Sequence, residues 1–430
     1  MAVPVPVPHS PRIVRDTADD FKDFMSTTEY RSFVSVLCAA VFGICGYSDV
    51  NRYMLFANSV SSIANFFNSD ALWPKLNRRH RRRVLRLLKH IDNDPKRYMW
   101  VIDDTLLPHF GSKIWGAYWW KDHCNGGTTL GHKLLVLGVL DRKNKLLIPV
   151  FWEVLHRDLT ELTDEDIPQV HEKGWQVALR LLDEAELMGF PKLVFTGDTW
   201  FACEEFFDAL NMRGTQYEFE IKSNRKIVEH KGRTFNKSAE EFFADRYRSG
   251  VYTGRTVKYA AEATVRFKDS MRKHKVIGVA NRKANTDIFA YYISNVLTWN
   301  SSKIWGLARD RWGIEVQFRD LKQLFTLGKA AVQSRNAVET AISVAAIALT
   351  VIRLQQFDEA DAEGNGWTRP RSAGAIIQQL SIESMRQLVT EITANIRNND
   401  VLERLKKRLS YENLIGKPAE FRRKPVMPPG

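Results

Sequence analysis

Cysteine is scarce: the 430 residues hold four. Cys38, Cys45, Cys124 and Cys203 form no CxxC pair and no regular framework. That excludes structural zinc of the finger or ribbon type, argues against a disulfide-built fold and fits a reducing compartment. The apolar run nearest the N-terminus, FVSVLCAAVFGICG, is too short to span a bilayer comfortably. The opening MAVPVPVPHSPR alternates Val and Pro, so residues 1–18 read as an extended or disordered arm and not as a signal peptide. Internal repeats and long low-complexity tracts are absent as well. Together these absences predict a soluble, cytoplasmic protein.

Positive charge, by contrast, is plentiful. The formal net charge is +13, while the 44% hydrophobic and 26% charged content are ordinary for a globular protein. An excess of that size implies a polyanionic partner, either nucleic acid or a membrane surface. No segment pairs the charge with an exposed aromatic face, so a membrane role is the weaker reading. The chain is long enough for two or three domains.

Residues 19–96 read as a helical region. Within SDVNRYMLFANSVSSIANFFNSD, a polar Asn58-Ser59 break separates two short amphipathic segments, a spacing compatible with a helix-turn-helix. The helix-length stretch PKLNRRHRRRVLRLLKHI gathers Lys75, Arg78, Arg79, Arg81, Arg82, Arg83, Arg86 and Lys89. A solvated face would explain some of them. So many like charges repel unless an anion neutralises them, which points to DNA phosphates, with a salt slope of about −7 for roughly eight contacts.

From residue 97 the pattern changes to strands. YMWVID, GHKLLVLGVLD and KLLIPVFWEV predict a three-strand meander, followed by a helix over about Val170 to Met188. PKLVFTGD predicts a fourth strand, TWFACEEFFDALNMRG a second helix and QYEFEIK a fifth strand, so 97–222 form a mixed α/β layer. Residues 223–299 are polar and basic, then alternate in DIFAYYISN, and read as a β-rich insertion. Residues 300–356 return to helices, including the apolar ETAISVAAIALTVIRL, which should pack on the sheet. An acidic, Gly/Pro-containing linker over 357–374 and a helical region over 375–430 complete the chain.

Two strands end in aspartate, Asp103 in VIDDT and Asp198 in FTGDTW, and a later helix supplies Glu315. Three converging carboxylates raise one another's pKa unless neutralised. Mg²⁺ prefers oxygen ligands, and two such ions can activate a water or 3′-hydroxyl and stabilise a leaving oxygen. Taken singly, each aspartate is ordinary where a strand runs into a turn. In VIDDT, adjacent side chains point to opposite faces, so only one of Asp103 and Asp104 faces a common site easily. His123, Cys124 and His132 in KDHCNGGTTLGH have irregular spacing and read as a polar loop.

The order of elements, with VIDDT, TGDTW and R-x3-E-x6-K (Arg311, Glu315, Lys322), resembles the cut-and-paste DDE transposases of bacterial insertion sequences. That resemblance covers about 97–356. It implies an α/β, ribonuclease H-like mixed sheet with flanking helices, interrupted by the β-rich insertion. It also makes the N-terminal helices a DNA-binding domain in a prokaryotic, nucleoid-associated protein. The family signature Y-x2-R-x3-E-x6-K has its Tyr replaced here by Ala308, with Trp305 one turn earlier. By the resemblance, Asp103, Asp198 and Glu315 are the catalytic metal ligands for two Mg²⁺ ions, with Mn²⁺ as a substitute. Arg311, Lys322 and Arg319 would grip phosphates at the DNA end, and Trp299 would stack on a base. Arg78, Arg79, Arg82, Arg83 and Arg86, together with Lys222 and Arg225, would line DNA. The implied activity is cleavage at terminal inverted repeats and joining of the 3′-hydroxyl to target DNA by a homodimer. Two other readings are a catalytically silent DNA-binding derivative and a nuclease of the same fold without strand transfer.

Overall fold

A computed structural model describes residues 6–91, 94–109, 111, 113–122, 126–155, 172–244, 246, 248–253, 256–268, 270–281, 288–362 and 371–410. Strands β1 (Tyr98–Pro108), β3 (Thr128–Asp141) and β4 (Leu146–Leu155) form the antiparallel meander, with a short β2 (Tyr118–Lys121) added beside β3. β5 (Val194–Gly197) pairs parallel to β1, and β6 (Tyr217–Ile221) pairs parallel to β5. The strand order through this part is β4-β3-β1-β5-β6.

Side-chain alternation assigns the two faces. Trp100, Ile102, Phe195, Tyr217 and Phe219 point to one core. Helices α6 (Gly174–Leu187) and α7 (Glu204–Met212) cover that side through Val177, Leu181, Phe206 and Phe207. Met99, Val101 and Val136 point the other way, into a core shared with α10 (Gly313–Gln323) and α11 (Arg335–Ala362). By length and composition α11 could cross a membrane, yet most of it is buried within the protein. Its apolar surface is spent on the sheet and on α2 (Thr27–Val41), α4 (Val60–Asn68) and α5 (Leu72–Ile91).

The N-terminal arm departs from the disordered reading of 1–18. Val7 is fully buried, and its N–H and C=O bond to Tyr53 O (2.8 Å) and Leu55 N (2.9 Å). Extended Val-Pro backbone supplies such a ready-made bridge without further ordering cost. Helix α1 (Arg12–Asp19) follows and buries Val14 and Ala18. The Asn58-Ser59 break does lie between two helices, α3 (Tyr47–Tyr53) and α4. It is also a packing hub: Asn58 donates to Thr28 O at 3.1 Å and to Ser32 Oγ at 3.0 Å, and Ser59 caps α4.

Residues read as insertion hold β7 (Lys226–His230), β8 (Arg233–Ser238), α8 (Ala239–Phe243), β9 (Ser249–Thr253), β10 (Thr256–Phe267), β11 (Lys273–Ala280) and β12 (Ile288–Ser294). They extend the same sheet, because β12 pairs antiparallel with the open edge of β6. Helix α9 (Ser301–Arg311) then crosses this region beside β6 and β12. The linker expected from 357 begins later: α11 continues to Ala362, since Phe357 is buried and Glu359 pairs with Arg371. Residues 363–370 lie outside the described part, and α12 (Ala373–Ala394) and α13 (Asn399–Arg408) end it.

Gly197, in the TGD turn, sits where a Cβ would meet Phe219 Cε1 at 2.8 Å and Ile102 Cγ2 at 2.9 Å. Gly197→Ala is therefore expected to destabilise the protein by about 1–3 kcal/mol through overpacking. A lowered denaturant midpoint would show it, and an unchanged one would contradict the close fit.

Candidate active site

The parallel ladders bring the acids together. Val101 lies opposite Thr196, and Thr196 opposite Glu218. Continuing the same register by two residues aligns Asp103, Asp198 and Glu220 in one row on the α9–α10 face. Glu218 and Glu220 were not anticipated. QYEFEIK reads as a fifth strand with neither face assigned, and the structure turns the glutamate face toward α9.

Each carboxylate is held by a near neighbour. Asp103 Oδ1 accepts from the Asp104 N–H at 2.8 Å, and Asp198 Oδ1 from the Trp200 N–H at 2.9 Å. Glu218 is buried and accepts from the Thr196 hydroxyl at 2.8 Å. Burial, then the charges of Asp198 and Asp104, push Asp103 up to about 7. Burial pushes Glu218 up to about 8 and raises Glu220 as well. Asp104 faces the opposite side, in an ion pair with Lys133 at 3.2 Å, and the Lys133 ammonium lies 4.1 Å from the Trp200 ring.

Arg311 is not positioned to grip phosphate. Its side chain is 14% exposed and reaches Glu220 Oε2 at 3.4 Å. Burial works against its charge, but Glu218, Asp103, Glu220 and Asp198 together hold its pKa above the ordinary value. It is thus the internal counter-ion of the row. Glu315 is exposed in the first turn of α10, accepts from the Trp312 indole N–H and lies within electrostatic reach of Glu220. Arg319 is largely exposed, and Lys322 is half-buried in the last turn of α10. Ala308, at the signature Tyr position, is buried in a small cluster with Tyr292.

Other expected DNA contacts divide into inward and outward groups. On α5, Arg79 pairs with Asp23, Arg81 with Glu184 and Arg83 with Asp20. Lys75, Arg78, Arg82, Arg86 and Lys89 are exposed. Their three- and four-residue spacing sets them along one stripe. Arg86 also reaches Asp20 at 3.5 Å. Arg225 is structural rather than DNA-lining: it pairs with Glu204, donates to Ala202 O at 2.8 Å and packs on Phe207 and Phe267. Lys222 is exposed just past β6. Trp299 is partly buried against two cores, with the Lys303 ammonium 5.7 Å from its ring. Trp200 and Trp312, by contrast, are 46% and 62% exposed beside Asp198 and Glu315.

His132 bonds to Trp115 O at 2.6 Å through Nε2 and to His109 Nε2 at 2.7 Å through Nδ1, which uses both ring nitrogens. His123 and Cys124 lie outside the described residues. Among the described residues, no three His, Cys, Asp or Glu side chains stand close enough to hold a metal ion as they are. The donor chemistry of the row is nevertheless all carboxylate oxygen, which suits a hard divalent cation.

The family described as DDE superfamily endonuclease matches residues 52–243. The family described as transposase DDE domain matches residues 169–351. The fold is also similar to the piggyBac transposase in a cryo-EM synaptic complex with hairpin DNA. That similarity has 14% identity and a TM-score of 0.43, and covers 90% of this chain and 82% of that one. Among curated proteins none matches.

The raised Asp103 pKa has a stability consequence. The folded chain holds that proton from the ordinary value of 3.8 up to about 7, so the stability it contributes is present at low pH and is lost as pH rises through about 7. In metal-free buffer, Asp103→Asn should flatten the fall in Tm between about pH 4 and 7. Parallel Tm curves for the variant and the wild type would contradict the burial and repulsion described.

Proposed function

We propose that the chain is a DNA transposase that binds the ends of its element, cleaves phosphodiester bonds with divalent metal and joins the freed 3′-hydroxyl to target DNA. The observation that carries this reading is the alignment of Asp103 with Asp198 inside the matched DDE region: Asp103 lies midway along β1, which runs on to Pro108 instead of ending at the aspartate, and Asp198 follows directly after the parallel β5. The strand order β4-β3-β1-β5-β6 supports a ribonuclease H-like core. Two copies would act together on two double-stranded ends.

In this reading Asp103, Asp198 and Glu315 hold Mg²⁺ or Mn²⁺. When bound, such ions activate a water or 3′-hydroxyl and stabilise the leaving oxygen. The row's excess negative charge is the reason cations are drawn there, since Arg311 alone offsets only one carboxylate. Lys322 and Arg319, further along α10, would contact the phosphate backbone of the DNA end. The exposed stripe on α5 follows DNA at a distance from the chemistry and supplies affinity rather than rate. Trp312, 62% exposed and bonded to Glu315, borders the acids with an accessible ring, whereas the Trp200 ring packs against Lys133 and Phe201. A nuclease without strand transfer is the second reading, favoured by the endonuclease description of the first family match.

The test is cleavage of plasmid carrying the element's ends, with Mg²⁺ or with chelator. Asp198→Asn and Glu315→Gln should each lower cutting by about a hundredfold or more while end binding survives. Joined products distinguish a transposase from a nuclease, and tight binding by wild type without any cutting would sink both. The five outward cations of α5 should give a log–log salt slope of about −4.5, and not the −7 of all eight. Arg82→Ala should make that slope shallower by about one unit, whereas Arg79→Ala should lower Tm and leave the slope alone.

A further inference from the structure

We infer that Glu220 is a positioning residue: by anchoring Arg311 it fixes the junction between α9 and α10, and so sets where Glu315 stands relative to Asp103 and Asp198. The inference rests on the reading of the acidic row given above.

The junction is weak by itself. Helix α9 ends at Arg311 and α10 starts at Gly313, with Trp312 alone between them. Gly313 adds no side chain, and a Cβ there would already stand 3.0 Å from Leu140 Cδ1. Direction must come from side-chain ties on either flank. On one flank Asp310 binds Arg142 at 3.0 Å and Lys145 at 2.5 Å, next to the β3–β4 turn. On the other, Arg311 binds Glu220 at 3.4 Å. Glu315 follows Arg311 by one helical turn, so a swing at the junction moves its carboxylate directly.

Glu220 also has two repelling neighbours, Asp198 and Glu315. The Arg311 pair is what makes its place tolerable. Removal of the Glu220 charge leaves Arg311 drawn to Glu218, Asp103 and Asp198. The guanidinium would then move toward the neighbouring strand, a shift of about 4.8 Å. There it would cover the two aspartates and pull Glu315 out of line.

The experiment uses the full chain with Glu220→Gln, which keeps shape, Glu220→Ala, and Glu229→Gln as a control. Glu229 is a strand glutamate on β7 paired with Arg266 and Lys273. Amide hydrogen exchange without metal or DNA should speed up about tenfold over residues 311–316 in both Glu220 variants, with β1 and β5 unchanged. In end cleavage, kcat should fall about tenfold or more while KM for DNA ends stays within about twofold. Unchanged exchange at 311–316 would overturn the inference. So would a raised KM with kcat kept, which would mean that Arg311 grips DNA. A wild-type chain that never cuts DNA would defeat the transposase reading instead, and the exchange measurement would still decide the role of Glu220.

Discussion

One buried guanidinium facing a line of carboxylates is the constraint on which the rest of this structure depends. Two like charges one strand apart repel by roughly 3–4 kcal/mol at an effective dielectric near 20. Asp103, Asp198 and Glu220 form such a line, with Glu218 behind them. Three forms of relief operate at once. Arg311 offsets part of the charge, Asp103 and Glu218 hold their protons more tightly, and Glu315 is kept on an exposed helix start. The arrangement is poised to accept further positive charge.

The scaffold explains how such a line is tolerated. Parallel strands are buried on both faces, and here each face has its own core. Those cores fix β1, β5 and β6 in register well before the charged ends are reached. Trp100, Phe195 and Phe219 lie on one side of the row's strands, Met99 and Val101 on the other. Extension of the sheet through β12 removes the open edge that β6 would otherwise present beside Glu220.

Much of this was legible in the sequence, for physical reasons that also mark the limits. Asp103 and Asp198 stood out because each ends an apolar run; that pattern marks the strand end at Asp198, while β1 runs on past Asp103 to Pro108. Glu218 and Glu220 did not, because alternation gives two faces without saying which is wet. Here β6 has helices toward both faces, and the glutamates turned out to face α9. The cations of α5 show the same blindness. Arg79, Arg81 and Arg83 look like their neighbours, yet their partners Asp23, Glu184 and Asp20 lie in other elements. Composition counts charges and cannot see which of them are already neutralised. The Val-Pro arm failed in the other direction: a segment with no fold of its own still found a strand-like bridge to Tyr53 and Leu55.

The placement of Glu315 follows from the same bookkeeping of charge. A fourth carboxylate locked into the row would add another repulsion of similar size, with only Arg311 to meet it. In the first turn of α10 it gains instead from the helix dipole and from the Trp312 indole N–H, worth about 1 kcal/mol or somewhat more in all. Those gains are smaller than the repulsion avoided. The Arg311–Glu220 pair beside the Trp312–Gly313 junction then sets how α10 leaves the row. Separate placement of the fourth acid, on a helix joined to the row by one ion pair, is how the fold keeps this much negative charge without unfolding.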